Sequence, residues 1–283
     1  MIHLEIVEKN QYLYMPENLG ECDNDQYADM SKLIWMAKEQ KISRFQLRDL
    51  GVYSLLRLRK KDKNWDEKKE NLYKFSLIVD NFFEFDAEDN FLNVKLDYIK
   101  NHLPKYKLFR KYYGPEDGFN DVTFGQYMDG LEEYIYYTNT GDLNSLRMLF
   151  SIFYLPAGEK YNFRKSKKRS LGLFRFVDIR YLYGFYLFFA SMQTYVLSGV
   201  INVMGNDIDL SLIFESDPNP KFTSDIVGTG MRSVLSELAE SQVFGPYAGV
   251  EETNMWRVLS RLYELKKKDL DEEKRNKNDT PRA

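Results

Sequence analysis

Catalysis near neutral pH draws first on histidine, and this chain has two, His3 and His102, far apart and in no shared motif. A histidine-based triad or metal site is hard to build from such a pair. The single cysteine, Cys22, lies among Glu21, Asp23 and Asp25, whose negative charge raises a thiol pKa and disfavours a reactive thiolate. Gly228-Thr229-Gly230 is too short for a Walker or dinucleotide phosphate loop and reads as a turn. Asp23, Asn24 and Asp25 begin like a calcium loop but lack its glycine and distal glutamate, so helix capping explains them. Glu132-Glu133 and Glu251-Glu252 are adjacent and point in different directions on a helix, which suits a solvated surface better than a glycosidase pair. An enzyme is therefore the least favoured class, and no cofactor or metal is expected.

Binding chemistry is better represented. The segment Tyr161-Asn162-Phe163-Arg164-Lys165-Ser166-Lys167-Lys168-Arg169 sets aromatic rings beside five cations, a pattern that can stack on bases and contact phosphate. The plainer reading is a solvated loop between helices that pairs with acidic neighbours. A net charge of −3 argues against broad, sequence-independent nucleic-acid binding but leaves room for a local basic patch. Aromatic residues make up 16% of the chain, with 21 Tyr and 20 Phe, enough for a core, a partner surface or both. With one cysteine no intrachain disulfide can form, and the start of the chain lacks the basic and apolar run of a signal peptide. A reducing cytoplasm is the expected compartment.

The elements that must position these groups are mostly helical, so the expected class is mainly α, with a few short strands near the N-terminus and in the 85–113 region. Residues 2 to 14 alternate as one or two strands ending at Met15-Pro16. Asp23 with Gln26 predicts a capped helix over 24–40, and Ser43 caps a second, with Phe45, Leu47, Leu50, Leu55 and Leu58 on its buried side. These two form an antiparallel pair. A charged linker at 59–64 precedes a third helix from about Trp65 to Phe83. Thr123 with Gln126 starts another helix, Gly141 separates it from the next at Leu143 to Tyr154, and Leu155-Pro156 closes that one.

Tyr181 to Met204 holds no charged residue and is long enough to span a bilayer. Its tyrosines, Gln193, Thr194 and Ser198 lie in the interior of the stretch, where a membrane would demand partners from the same chain. A buried central helix is the better expectation, with a single membrane span the weaker one. Ser216-Asp217-Pro218-Asn219-Pro220 marks the expected boundary between a main helical domain (1–215) and a C-terminal helical part (216–265), with helices near 226–242 and 252–269. The charged residues 266–283 are expected to be disordered.

Several segments together resemble a family of phage and prophage proteins coded among tail genes. Tyr14-Met15-Pro16-Glu17-Asn18 followed by Asp25-Gln26-Tyr27 is similar to the family's opening. Tyr113-Gly114-Pro115-Glu116-Asp117, Val122-Thr123-Phe124-Gly125-Gln126-Tyr127 and Leu149-Phe150-Ser151-Ile152-Phe153-Tyr154-Leu155-Pro156 resemble its centre, with Leu155 where an arginine is often found. Leu235 to Ala239 with Val243-Phe244-Gly245 is similar to its C-terminal helix and turn. The resemblance implies a helper in tail morphogenesis in the bacterial host cytoplasm, such as a chaperone for the tape measure that works with tail tube subunits. Such a role needs aromatic surface, for which Tyr127, Tyr134, Tyr137 and Tyr154 are the candidates. A DNA-associated protein using Arg164, Lys165, Lys167, Lys168 and Arg169 is the alternative.

Overall fold

Local signals in the chain place most of the helix starts. In the computed structural model, which describes residues 2–6, 11–58, 73–85, 91–198, 200–203, 206–214, 238–240 and 243–279, the protein is mainly α-helical, with several small antiparallel sheets. Strands β1 (Ile2–Ile6) and β2 (Gln11–Met15) form a hairpin with Ile2 opposite Met15. Helix α1 (Asn24–Lys38) starts at a capping box, in which Asp23 accepts from the Gln26 amide and the Gln26 side chain accepts from the Asp23 amide. Ser43 and Gln46 repeat that device at α2 (Arg44–Leu55). The two helices run antiparallel, since Gln26 at the start of α1 donates to the Leu55 carbonyl at the end of α2, 2.7 Å away.

Leu47 and Leu55 of α2 are buried as expected, but Phe45 is 71% exposed and Leu58 is also exposed. The helix ends at Leu55, before Leu58, and Phe45 falls outside the arc that meets α1. Of the expected third helix, residues 65–72 lie outside the described ones. The rest is a single helical turn at 73–76, a 3-10 segment Leu77–Phe82, and then strand β3 (Phe83–Phe85), which pairs with β4 (Phe91–Val94). Here Phe82-Phe83 turns the chain into extended pairing, which overrides helical periodicity.

Strands β5 (Lys105–Lys107), β6 (Lys111–Tyr113) and β7 (Leu155–Pro156) form a three-stranded antiparallel sheet. Helix α3 (Phe124–Thr140) has the expected Thr123–Gln126 capping box and ends at Gly141, whose positive φ of 69° suits glycine. Helix α4 (Leu143–Phe153) follows and packs on it. Residues 163–171, expected as a loop, are instead helix α5 (Phe163–Leu171), capped by the Asn162 side chain accepting from the Lys165 amide.

Helix α6 (Ile179–Ser198) is the centre of the molecule: every residue from 182 to 193 is buried. Most of its polar groups are met from within the chain, the buried Gln193 Nε2 being an exception. Ser191 bonds both the amide and the carbonyl of Tyr98, the Gly184 carbonyl accepts from Tyr27 Oη at 2.8 Å, and Gln193 Oε1 accepts from Tyr127 at 3.1 Å. No described helix is long and apolar enough to cross a membrane.

Strands β8 (Val200–Val203) and β9 (Asn206–Asp209) form a hairpin leading to the short helix α7 (Ser211–Phe214). The expected boundary at 216–220 and the Gly228–Gly230 turn lie outside the described residues, as does most of the helix expected at 226–242. Helix α8 (Tyr247–Glu252) and helix α9 (Met255–Asp279) then return to the main body. Phe124 donates its amide to Thr253, Met255 donates to Val122, and Trp256 Nε1 donates to the Gly118 carbonyl at 2.8 Å. Val250, Met255, Val258 and Leu259 join the same buried cluster as α1, α3, α4 and α6. The charged segment expected to be disordered is helical through Asp279, an extension built from good helix formers and supported by the Lys268–Glu272 pair one turn apart.

Candidate partner-binding groove

The start of α3, strand β7, the loop 157–162 and helix α8 enclose an open groove of about 980 Å³. Its walls combine Tyr113, Pro115, Phe153, Leu155 and Pro156 with the polar ends of Thr123 and Gln126. Close approach of α8 to α3 depends on Gly125, where a Cβ would stand 3.1 Å from the Glu251 Cβ and 3.2 Å from its carbonyl oxygen. The loop is tied down at two points. Tyr161 donates its hydroxyl to Asp129 on α3, and Glu159 pairs with Arg169 at 2.6 Å.

Carboxylates dominate the groove: Asp121, Asp129, Glu159, Glu251 and Glu252 face Lys160 and Arg164. Glu159 is neutralised by Arg169, and Lys160 stands 3.8 Å from Glu252. A groove with an excess of carboxylates among apolar side chains suits a cationic, partly apolar segment of a partner. Glu251 and Glu252, expected on a solvated face, both reach this groove because α8 lies across its mouth.

Three of the four tyrosines expected to face a partner turn inward. Tyr127, Tyr137 and Tyr154 are essentially unexposed. Tyr127 lies beside Phe189, with burial pushing its hydroxyl up to about 12. Tyr137 packs edge-on to Tyr186, and Tyr154 stacks on Phe150 at 3.7 Å while donating to the Leu103 carbonyl at 2.6 Å. Tyr134 is half-buried and stacks on Tyr186. The physical reason is α6, which covers the aromatic side of α3 and α4 along its length. Tyr127, Tyr137 and Tyr154 therefore do not offer the partner surface expected of them, while Tyr134 keeps part of its side chain exposed.

The basic segment divides in two. Arg164, Lys165, Lys167 and Lys168 are exposed on α5, with Arg164 at the groove. Arg169 is buried, paired with Glu159 and donating to the Ser151 carbonyl at 3.3 Å and to Ser166 Oγ at 3.2 Å. It anchors the loop to the end of α4 and is no part of a surface patch. Cys22 is buried, and its thiol is pushed well above the ordinary range by burial first and then by Asp23 and Glu21. Among the described residues no three His, Cys, Asp or Glu side chains cluster to hold a metal ion.

Sequence reasoning missed Asp129, Tyr161, Glu251 and Glu252 as neighbours. The available signal for the loop was Pro156 followed by Gly158, a break after α4 that lets the chain turn back toward α3. No family model matches this chain, and no curated protein or solved structure matches it either.

Proposed function

We propose that this chain is a non-enzymatic phage or prophage protein that assists tail assembly through protein contacts. Its carboxylate-rich groove is the contact site, taking a lysine- or arginine-bearing segment of a tail partner such as the tape measure or the tail tube protein. One observation carries the reading. The segments that resemble the tail-gene family's centre, Tyr113–Asp117, Val122–Tyr127 and Leu149–Pro156, are separate in sequence but each contributes to the wall of this one groove. Leu155, where the family often has arginine, gives this groove an aliphatic wall and leaves its charge negative.

The test is co-purification of the tagged full chain from a producing cell, with bound proteins identified by mass spectrometry. Ala157→Trp fills the groove and Glu252→Arg reverses one of its charges, both at exposed positions that leave the core untouched. Tail proteins recovered with the native chain and lost with both variants would support the proposal. Recovery of the same partners by both variants would reject the groove as the contact site, and absence of tail proteins would reject the assembly role.

A further inference from the structure

A second surface differs from the groove in sign and shape. The β5–β6 hairpin buries Tyr106 and Tyr112 on its inner face and exposes Lys105, Lys107 and Lys111 on its outer face. At its turn Phe109 is 81% exposed, beside Arg110. The hairpin rests on the 3-10 turn Leu173–Phe176, because the Tyr112 ring lies 4.8 Å from that of Phe174. That turn exposes Phe176 at 65%, with the Arg175 guanidinium 5.4 Å from its ring centre, and follows Leu171 at 63%. Neither residues 105–115 nor residues 161–177 contain an aspartate or glutamate.

Large apolar side chains held in water among the exposed cations Lys105, Lys107, Lys111 and Arg175 need an occupant that satisfies both. A single-stranded nucleic acid would use the cations and the two phenylalanine rings but leave Leu171 and Leu173 in water. A bilayer interface takes all four apolar side chains, while lysine and arginine stems lie along it with their charges at anionic headgroups. The projecting hairpin tip also suits a broad, flat surface better than an extended strand that needs a groove. We infer that the Phe109 hairpin and the Leu171–Phe176 turn form a peripheral docking surface for anionic lipid headgroups. The two kinds of contact act together, since neither a few apolar side chains nor a few charges alone hold a protein stably at a membrane.

The experiment uses the full chain with vesicles of phosphatidylcholine alone and of phosphatidylcholine with phosphatidylglycerol. Sedimentation with the anionic vesicles only, weakened as salt rises, is expected. The Phe109→Ser/Phe176→Ser and Lys107→Gln/Lys111→Gln/Arg175→Gln variants should each weaken it by about tenfold or more. Phe109→Trp should add a blue-shifted component to the emission of the three native tryptophans when anionic vesicles are present. This last variant reports insertion even where a multiple substitution perturbs folding. No sedimentation, no blue shift, undiminished binding by the Phe109→Ser/Phe176→Ser variant, or binding of a single-stranded oligonucleotide in place of vesicles would each overturn the inference.

Discussion

Helices α5 and α6 follow one another in the chain and have opposite fates. Helix α6 is apolar around its circumference and is sheathed by α1, α3, α4 and the 95–106 segment, and Ser191, the Gly184 carbonyl and Gln193 Oε1 find partners on neighbouring backbone and tyrosines. Helix α5 carries a run of cations, yet it too is docked, through Ser166, Arg169 and Ser170 on one face. Ser151 donates to the Ser166 carbonyl at 2.6 Å, and Arg169 joins α4 to the groove loop. Burial of α6 rests on area and ring packing; docking of α5 rests on one charge and a few hydrogen bonds. The contrast teaches that a charged segment can still hold one indispensable buried residue.

The largest effect that would sharpen the contrast is at the centre of α6. Phe185 is unexposed and meets the rings of Phe153 at 5.0 Å and Tyr154 at 5.3 Å. Phe185→Ala should cost about 3–5 kcal/mol in chemical denaturation. A cost below about 1 kcal/mol would show that the ring cluster around α6 is loosely packed.

Acid should also strike this core. His102 is fully buried, stacked 4.8 Å from Tyr27, and burial with help from Lys100 pushes its pKa down to about 4 from 6.5. Protonation therefore favours the unfolded chain. The contribution is complete above about pH 6.5 and is lost as pH falls toward 4, amounting to about 3 kcal/mol. His102→Phe should flatten that part of the stability–pH curve, and an unchanged slope would exclude His102 as its source.

In α5 the effects should split by residue. Arg169→Met leaves Glu159 without its partner and should cost about 2–3 kcal/mol, measured by denaturant titration. Smallest of all, Lys165→Ala and Lys167→Ala should stay within about 0.5 kcal/mol, as exposed side chains usually do. Equal costs at Arg169 and Lys167 would erase the distinction between the docked and solvated faces of this helix.

Much of the helical frame was legible because capping is local chemistry. Asp23, Ser43 and Thr123 mark helix starts whatever surrounds them, and the uncharged run at 181–204 pointed to a buried helix that holds as far as Ser198, beyond which Val200–Val203 is a strand. The site was far less legible. Helical spacing showed that Tyr127, Tyr134 and Tyr137 share a side of α3, but periodicity cannot tell whether solvent, a partner or another helix lies against that side. Likewise Phe45 and Leu47 are both apolar and close in sequence, yet one is exposed and the other buried. Composition also misread residues 266–279, whose charges suggested disorder although their helix propensities are high.

By itself, then, the sequence determined the mainly helical class, three of the helix caps and the apolar character of the central helix, since each depends on residues within a few positions of one another. Only the tertiary structure decided that Tyr127, Tyr137 and Tyr154 turn inward, that Arg169 is a buried anchor, and that Asp129, Tyr161 and Glu252 meet around one groove. Those outcomes depend on contacts between residues far apart in the chain, and no local pattern encodes which element will cover which.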